Sequence, residues 1–214
     1  MATPTTVATE MDAAAPRLHL ASRSPRRAEL LEQIGVRFTR LDAEVDETVR
    51  PGEAPGDYVR RVTGDKGRAG WARVAARADA LVLAADTAVV VDACILGKPR
   101  DRADALEMME RLSGREHRVL TAVALVGAAG ESLRLSETRV RFRRVAPAEA
   151  ARYWATGEPR DKAGGYAIQG LGAVFVAAIA GSYSGVMGLP LFETATLLAE
   201  AGIPVLGAPP PDRD

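Results

Sequence analysis

The stretch Leu81 to Asp101, LVLAADTAVVVDACILGKPRD, decides how this chain is read. Its apolar opening, Leu81 to Ala85, has the length and composition of a buried strand and runs directly into Asp86-Thr87, which puts a carboxylate at the expected end of that strand. A second β-branched run, Val89 to Val91, follows. Gly97-Lys98-Pro99 then returns a cation, with glycine permitting close backbone approach and proline setting a turn. An acid and a base therefore face a common cleft, or else Asp86 is a turn residue and Lys98 a solubilising one.

The segments on either side add anion chemistry. Arg17 to Ala21 reads as a first strand, and Ser22-Arg23-Ser24-Pro25-Arg26-Arg27 leads into a helix whose apolar positions are Leu30, Leu31 and Ile34. Ser24 suits the N-cap and Pro25 the first helical position. Arginines in a first turn oppose the positive end of the helix dipole, at about 0.3–1 kcal/mol each, and a bound anion removes that conflict. Free amides, the hydroxyls of Ser22 and Ser24 and the guanidinium forks of Arg26 and Arg27 together suit a phosphate. Arg27 lies four residues before Leu31, on the inward face.

Phe38 to Leu41 reads as another strand. Asp42, Glu44, Asp46 and Glu47 then form either a set of oxygen ligands for a divalent ion or a solvated acidic loop. A helix is expected from Asp57 to about Ala78, with Lys66 in line with Val59 and Val62, so that Lys66 either snorkels outward or reaches an anion. Gly64, Gly67 and Gly70 are expected to weaken or break that helix, at about 1 kcal/mol each. Downstream, Asp101 caps a further helix. Glu116 to Leu125 and Ser132 to Val145 read as long strands joined by a loop wider than two residues, and Pro147 starts another helix. Residues 173–180 read as a buried strand, and Pro190 to Ala201 as the last helix.

Gly165 and Gly170 have P-loop spacing, but Leu171-Gly172 stands where Lys-Ser/Thr is required, and no GxGxxG occurs. What remains is a glycine-lined loop carrying Lys162 for phosphate and Gln169 for a planar hydrogen-bonding group such as a base edge.

Composition narrows the classes. With 28 basic and 28 acidic residues the chain has no excess positive charge for non-specific nucleic-acid binding, while 214 residues at 47% apolar suffice for one substantial core or two lobes. Cys94, alone, is expected to pack as a small apolar side chain in a reducing compartment. With only His19 and His117, a multi-histidine metal site is excluded, and any metal is magnesium or manganese on oxygen ligands. No apolar run reaches the roughly 20 residues of a membrane span. The chain reads as cytoplasmic, with residues 1–15 a frayed extension, 16–203 one domain and 204–214 a flexible tail.

Three stretches in order, Leu20 to Arg27, Asp86-Thr87 with Gly97-Lys98-Pro99, and Asp161 to Gly170, resemble the Maf family of nucleoside triphosphate pyrophosphatases over about residues 17–202. The resemblance implies an α/β fold similar to the inosine triphosphatase group, with an elongated mixed sheet, flanking helices and two lobes around a central cleft. It also implies a homodimer and metal-dependent cleavage between the α and β phosphates. By resemblance Asp86 matches the proton acceptor. Arg27, Thr87 and Gln169 match positions tied to substrate choice in the subgroup acting on dTTP and UTP, and Glu47, Lys66 and Lys98 match charged positions of the cleft. Asp86 and Glu47 are the candidate metal ligands, and Asp86 is either base or ligand. Two alternatives are a non-catalytic nucleotide-binding regulator of cell division and a pyrophosphatase for methylated guanine nucleotides.

Overall fold

The computed structural model describes residues 17–206, so the expected N-terminal extension and nearly all of the expected tail lie outside the described residues. In chain order the regular elements are β1 (Arg17–Ala21), α1 (Pro25–Gln33), β2 (Thr39–Leu41), α2 (Pro55–Ala72), β3 (Ala80–Val91), β4 (Cys94–Leu96), α3 (Arg102–Leu112), β5 (Glu116–Gly127), β6 (Gly130–Phe142), α4 (Pro147–Ala155), β7 (Val176–Ala180), α5 (Tyr183–Met187) and α6 (Leu191–Glu200). Three short 3₁₀ turns, Glu158–Asp161, Ala163–Gly165 and Leu171–Phe175, carry the chain from α4 to β7. The sheet is mixed, seven-stranded and ordered β2-β1-β3-β5-β6-β7, with β4 on β3, and helices flank it, in agreement with the expected α/β class.

β3 organises the molecule, and it differs from expectation: the two apolar runs are one uninterrupted strand of 12 residues, so Asp86 lies mid-strand rather than at a strand's end. Strand alternation sends its odd positions to one face and its even positions to the other. On the odd face, Leu83 and Ala85 join Leu20, Leu31 and Leu198 in one core, whereas Val89 and Val91 join Leu112, Phe142 and Tyr166 in another. Thr87 stands between these two cores. On the even face, Ala88 and Val90 meet Tyr58, Val59 and Val62 of α2.

The strand pairings open a gap at the same place. β1 pairs in parallel with Ala80 to Ala84 of β3, and β4 pairs antiparallel with Val89 to Val91 on that edge. Residues 85–88 thus carry no strand on that edge among the described residues, while β5 covers the other edge throughout. The gap is the floor of a cleft.

α2 shows what its glycines do. It runs unbroken to Ala72, shorter than the expected Ala78, because Gly67 and Gly70 let it lie against the sheet: a Cβ on Gly67 would meet Val126 Cγ2 at 2.7 Å, and one on Gly70 would meet Val82 Cγ1 at 2.9 Å. Their lost propensity is offset by close packing of helix on strand.

Three other expectations are corrected. Cys94 is exposed, since Asp92 and Ala93 with positive φ turn the chain sharply outward just before it. Residues 173–180 are not a buried strand: they split into the end of a 3₁₀ turn and the largely exposed edge strand β7. The β5–β6 hairpin is tight, Gly127 pairing with Gly130 across two residues.

Candidate active site

The cleft above the β3 gap has a volume of about 480 Å³ and gathers Ser22, Ser24, Arg26, Arg27, Glu47, Lys66, Asp86, Thr87, Lys98, Lys162 and Gln169, every site residue anticipated from the sequence. Arg23 and Asp161 also line it, so six cationic side chains face three carboxylates.

Each wall has a local cause. The β1–α1 turn brings Ser22, Ser24 and the first-turn arginines to the rim because β1 stops at Ala21 and Pro25 starts the helix at once. Ser24 occupies the N-cap, as expected, but its side chain makes no cap hydrogen bond. Arg27 turns inward: its Nε donates to the Gly188 carbonyl at 2.7 Å, and its terminal nitrogens donate to Ser22 Oγ at 3.1 Å and Thr87 Oγ1 at 3.3 Å. All three acceptors are neutral, and burial pushes the Arg27 pKa down from its usual value against the pull of Asp86. A guanidinium held this way lacks a directly bonded anion, which favours one arriving with a ligand.

On the other side of β3, Lys66 is buried, and its ammonium donates at 2.7 Å both to Asp86 Oδ1 and to Glu47 Oε1. Lys66 therefore does not snorkel to the surface. Although partial burial works against ionisation of Glu47, the Lys66 hydrogen bond and charge, with Lys98 and Arg27 behind it, keep the Glu47 pKa below the usual carboxylate value. Of the acidic segment only Glu47 reaches the cleft: Asp42 and Glu44 face Arg23, and Asp46 accepts from the Thr48 amide.

The third wall is tied to the second by backbone. Gly164, at φ 69°, donates to the Gly97 carbonyl at 2.9 Å and sits so close to β3 that a Cβ would meet Val89 Cγ1 at 2.8 Å. This contact brings Lys98 and Lys162 onto one rim. Lys162 is paired with Asp161, which also accepts from Arg26 at 3.4 Å. Gln169 is exposed at the cleft's edge.

Two lining groups were not singled out from sequence. In the sequence Asp161 stands out only as part of the Asp161 to Gly170 stretch. Tyr58 was hidden in the α2 pattern, and its hydroxyl is held neutral, the pKa pushed up to about 12 by burial and by the nearby Asp86 and Glu47. The alternation of β3 explains why two neighbouring polar residues serve different walls: Asp86 points to α2 and Thr87 to α1.

Residues 17–201 match the model of the Maf-like protein family. The chain belongs to the Maf family. Among its relatives in the Maf family, the dTTP/UTP pyrophosphatase of Nitrosomonas europaea is 55% identical over 198 residues, covering 88% of this chain and 96% of the relative. That of Bordetella parapertussis is 56% identical over 196 residues, covering 89% and 95%. A solved Ham1 protein from Staphylococcus aureus overlays 59% of this chain and 71% of its own at a TM-score of 0.39 and 13% identity, too loose a likeness to extend the fold description. The Maf family resemblance drawn from three short stretches therefore holds over nearly the whole described chain.

Proposed function

We propose that this chain is a nucleoside triphosphate pyrophosphatase acting on dTTP and UTP, releasing the monophosphate and pyrophosphate. The carrying observation is the Asp86–Lys66–Glu47 cluster set in a cleft whose other charged groups are five cations and Asp161; Maf relatives named dTTP/UTP pyrophosphatase support the same activity and substrates.

Phosphoryl chemistry needs neutralised charge and an aligned nucleophile more than covalent help. Arg26, Arg27, Lys98 and Lys162 hold the triphosphate across the β3 gap. Asp86, poised by Lys66, orients a water and accepts its proton as its oxygen bonds to phosphorus. The bond between the α and β phosphates breaks, and pyrophosphate leaves with the bridging oxygen. Thr87 and Gln169 read the base.

Asp86 and Glu47 both touch one ammonium nitrogen, so their oxygens lie within two hydrogen-bond lengths of each other. That suits Mg²⁺ or Mn²⁺, which takes one or two carboxylates and completes its shell with water and phosphate oxygens. Among the described residues no cluster of three or more His, Cys, Asp or Glu could hold a metal on protein ligands alone; Asp86 and Glu47 would hold the ion, and water and substrate oxygens would supply its other ligands. A bound ion would offset charge on the triphosphate.

A cytoplasmic location fits a nucleotide substrate, and among the described residues no helix is long and apolar enough to cross a membrane. We expect a homodimer, with the exposed, uncharged edge of β7 as the contact.

Asp86→Asn tests the reading. Asparagine keeps an oxygen for Lys66 but cannot take a proton, so turnover should fall at least about 100-fold while nucleotide binding persists. Activity within a few-fold of wild type would remove Asp86 from the chemistry.

A further inference from the structure

Arg61 of α2 does not line the cleft, and the roles above give it no task, yet its side chain is only 14% exposed and is fully engaged. Its Nε donates to Glu53 Oε1 at 2.5 Å, and one terminal nitrogen donates both to Glu53 Oε2 at 2.8 Å and to the Thr48 carbonyl at 3.0 Å. The other terminal nitrogen donates to the Asp46 carbonyl at 3.4 Å and faces the Asp65 carboxylate at 3.7 Å. All four hydrogen bonds end within residues 46–53, the segment that carries Glu47.

These bonds bracket Glu47. The backbone carbonyls of its two neighbours, Asp46 and Thr48, are both held, and the bidentate pair with Glu53, whose side chain is 9% exposed, fixes the guanidinium that holds them. The guanidinium carbon also lies 5.7 Å from the centre of the Tyr58 ring. Residues 42–54 form neither helix nor strand, and among the described residues Arg61 and Lys66 are the side chains that tie residues 46–53 to the rest of the chain. Glu47 is itself half-exposed, yet its Oε1 stands 2.7 Å from Lys66 Nζ, the nitrogen that also meets Asp86. A half-exposed carboxylate on irregular chain loses such an aim to rotamer and backbone freedom unless its backbone is fixed.

We infer that Arg61 is a positioning residue: it fixes the backbone on both sides of Glu47 and so holds that carboxylate beside Asp86, where Mg²⁺ or Mn²⁺ would bind. Glu53 acts one step further out, by locking the guanidinium fork. Removing a group that orients a metal ligand typically weakens the metal by about 10- to 100-fold. Lysine at this position would keep the charge, but one ammonium nitrogen cannot span two carbonyls and both oxygens of a carboxylate as the planar fork does. The inference rests on the reading of Glu47 as a metal ligand above and adds the group that aims it.

The test is Mn²⁺ titration followed by electron paramagnetic resonance, in the presence of α,β-methylene-UTP, for wild type, Arg61→Gln, Arg61→Lys, Glu47→Gln and the Arg61→Gln/Glu47→Gln double variant. Hydrogen exchange of the Thr48 and Arg50 amides, which donate to Asp46 Oδ1 and Glu53 Oε2, is measured on the same proteins without metal. Arg61→Gln should weaken Mn²⁺ about tenfold and speed that exchange, and lysine should resemble glutamine rather than wild type. With Glu47 already replaced, Arg61→Gln should change Mn²⁺ affinity by less than about twofold, because there is no carboxylate left to aim. A merely structural Arg61 would cost the same factor in both backgrounds. Glu53→Gln should give an intermediate loss that likewise vanishes without the Glu47 carboxylate, and it serves if the Arg61 variants do not fold. Equal factors in the two backgrounds, a lysine variant matching wild type, or unchanged exchange would each overturn the inference. Glu47→Gln binding Mn²⁺ as tightly as wild type would remove Glu47 as a ligand and the inference with it, whereas Glu47→Gln weakened and Arg61→Gln not would overturn the inference alone. Because the analogue is not cleaved, a wild type that binds Mn²⁺ with it but fails to hydrolyse UTP would refute the pyrophosphatase reading alone.

Discussion

Lys66 is the residue whose loss should be felt twice. It neutralises Asp86, itself 7% exposed, so Lys66→Met strands a buried carboxylate beside Glu47 and should cost about 3–5 kcal/mol of folding free energy in urea titration, with turnover lost as well. Asp86→Asn, which retains an acceptor for Lys66, should cost clearly less stability; equal losses would mean the ion pair does not hold this part of the fold. The acids and bases of the cleft were legible in the sequence because their types and order are unusual: paired first-turn arginines, a carboxylate after an apolar run, Gly-Lys-Pro behind it. Helical spacing put Lys66 in line with Val59 and Val62, but whether it snorkels or turns inward is decided only by its contacts with Asp86 and Glu47. Thr121 left no such mark, since a threonine within the run Val119 to Leu125 reads as an ordinary strand former. Its place beside Thr87, at the floor of the cleft, depends on strand register, which no local pattern carries.

Elements show where local rules fail. Helix propensity treats Gly64, Gly67 and Gly70 alike, but their surroundings differ. A Cβ at Gly64 meets only the flexible ends of Glu131 and Arg68, so Gly64→Ala should stabilise by up to about 1 kcal/mol. Gly67→Ala drives a methyl into Val126 and should destabilise by about 1–3 kcal/mol. Opposite shifts in melting temperature are the expected outcome, and parallel shifts would refute the packing account of α2. β5 supplies a pH dependence. His117, with its ring edge-on to Phe142 and Tyr166, is 2% exposed, and burial pushes its pKa down to about 4 from 6.5. The unfolded chain therefore binds the extra proton first, so the stability that neutral His117 allows is complete above pH 6.5 and is lost as pH falls toward 4, about 3 kcal/mol in all. His117→Leu should flatten the melting-temperature profile across that window, and an unchanged slope would assign the acid sensitivity elsewhere.

At the level of the whole molecule, the cleft exists because β1 and β4 leave residues 85–88 of β3 unpaired on one edge and because the two cores on its odd face part at Thr87. Most strands and helices were legible as apolar runs and helical patterns, whereas the mixed α/β class was implied by the family resemblance of three short stretches. The gap was not, for it is made by strands far apart in sequence meeting one edge. The exposed β7 edge predicts assembly: Ile179→Lys should convert a dimer to a monomer in light scattering, and a wild type that is already monomeric would contradict the proposed contact. The central claim is that the triphosphate is cut between its α and β phosphates in this cleft. The direct measurement is the product pair formed from UTP and dTTP with magnesium or manganese, for wild type and Asp86→Asn. The account predicts monophosphate and pyrophosphate in equal amounts from wild type and almost none from the variant; orthophosphate and diphosphate, or no turnover at all, would contradict it.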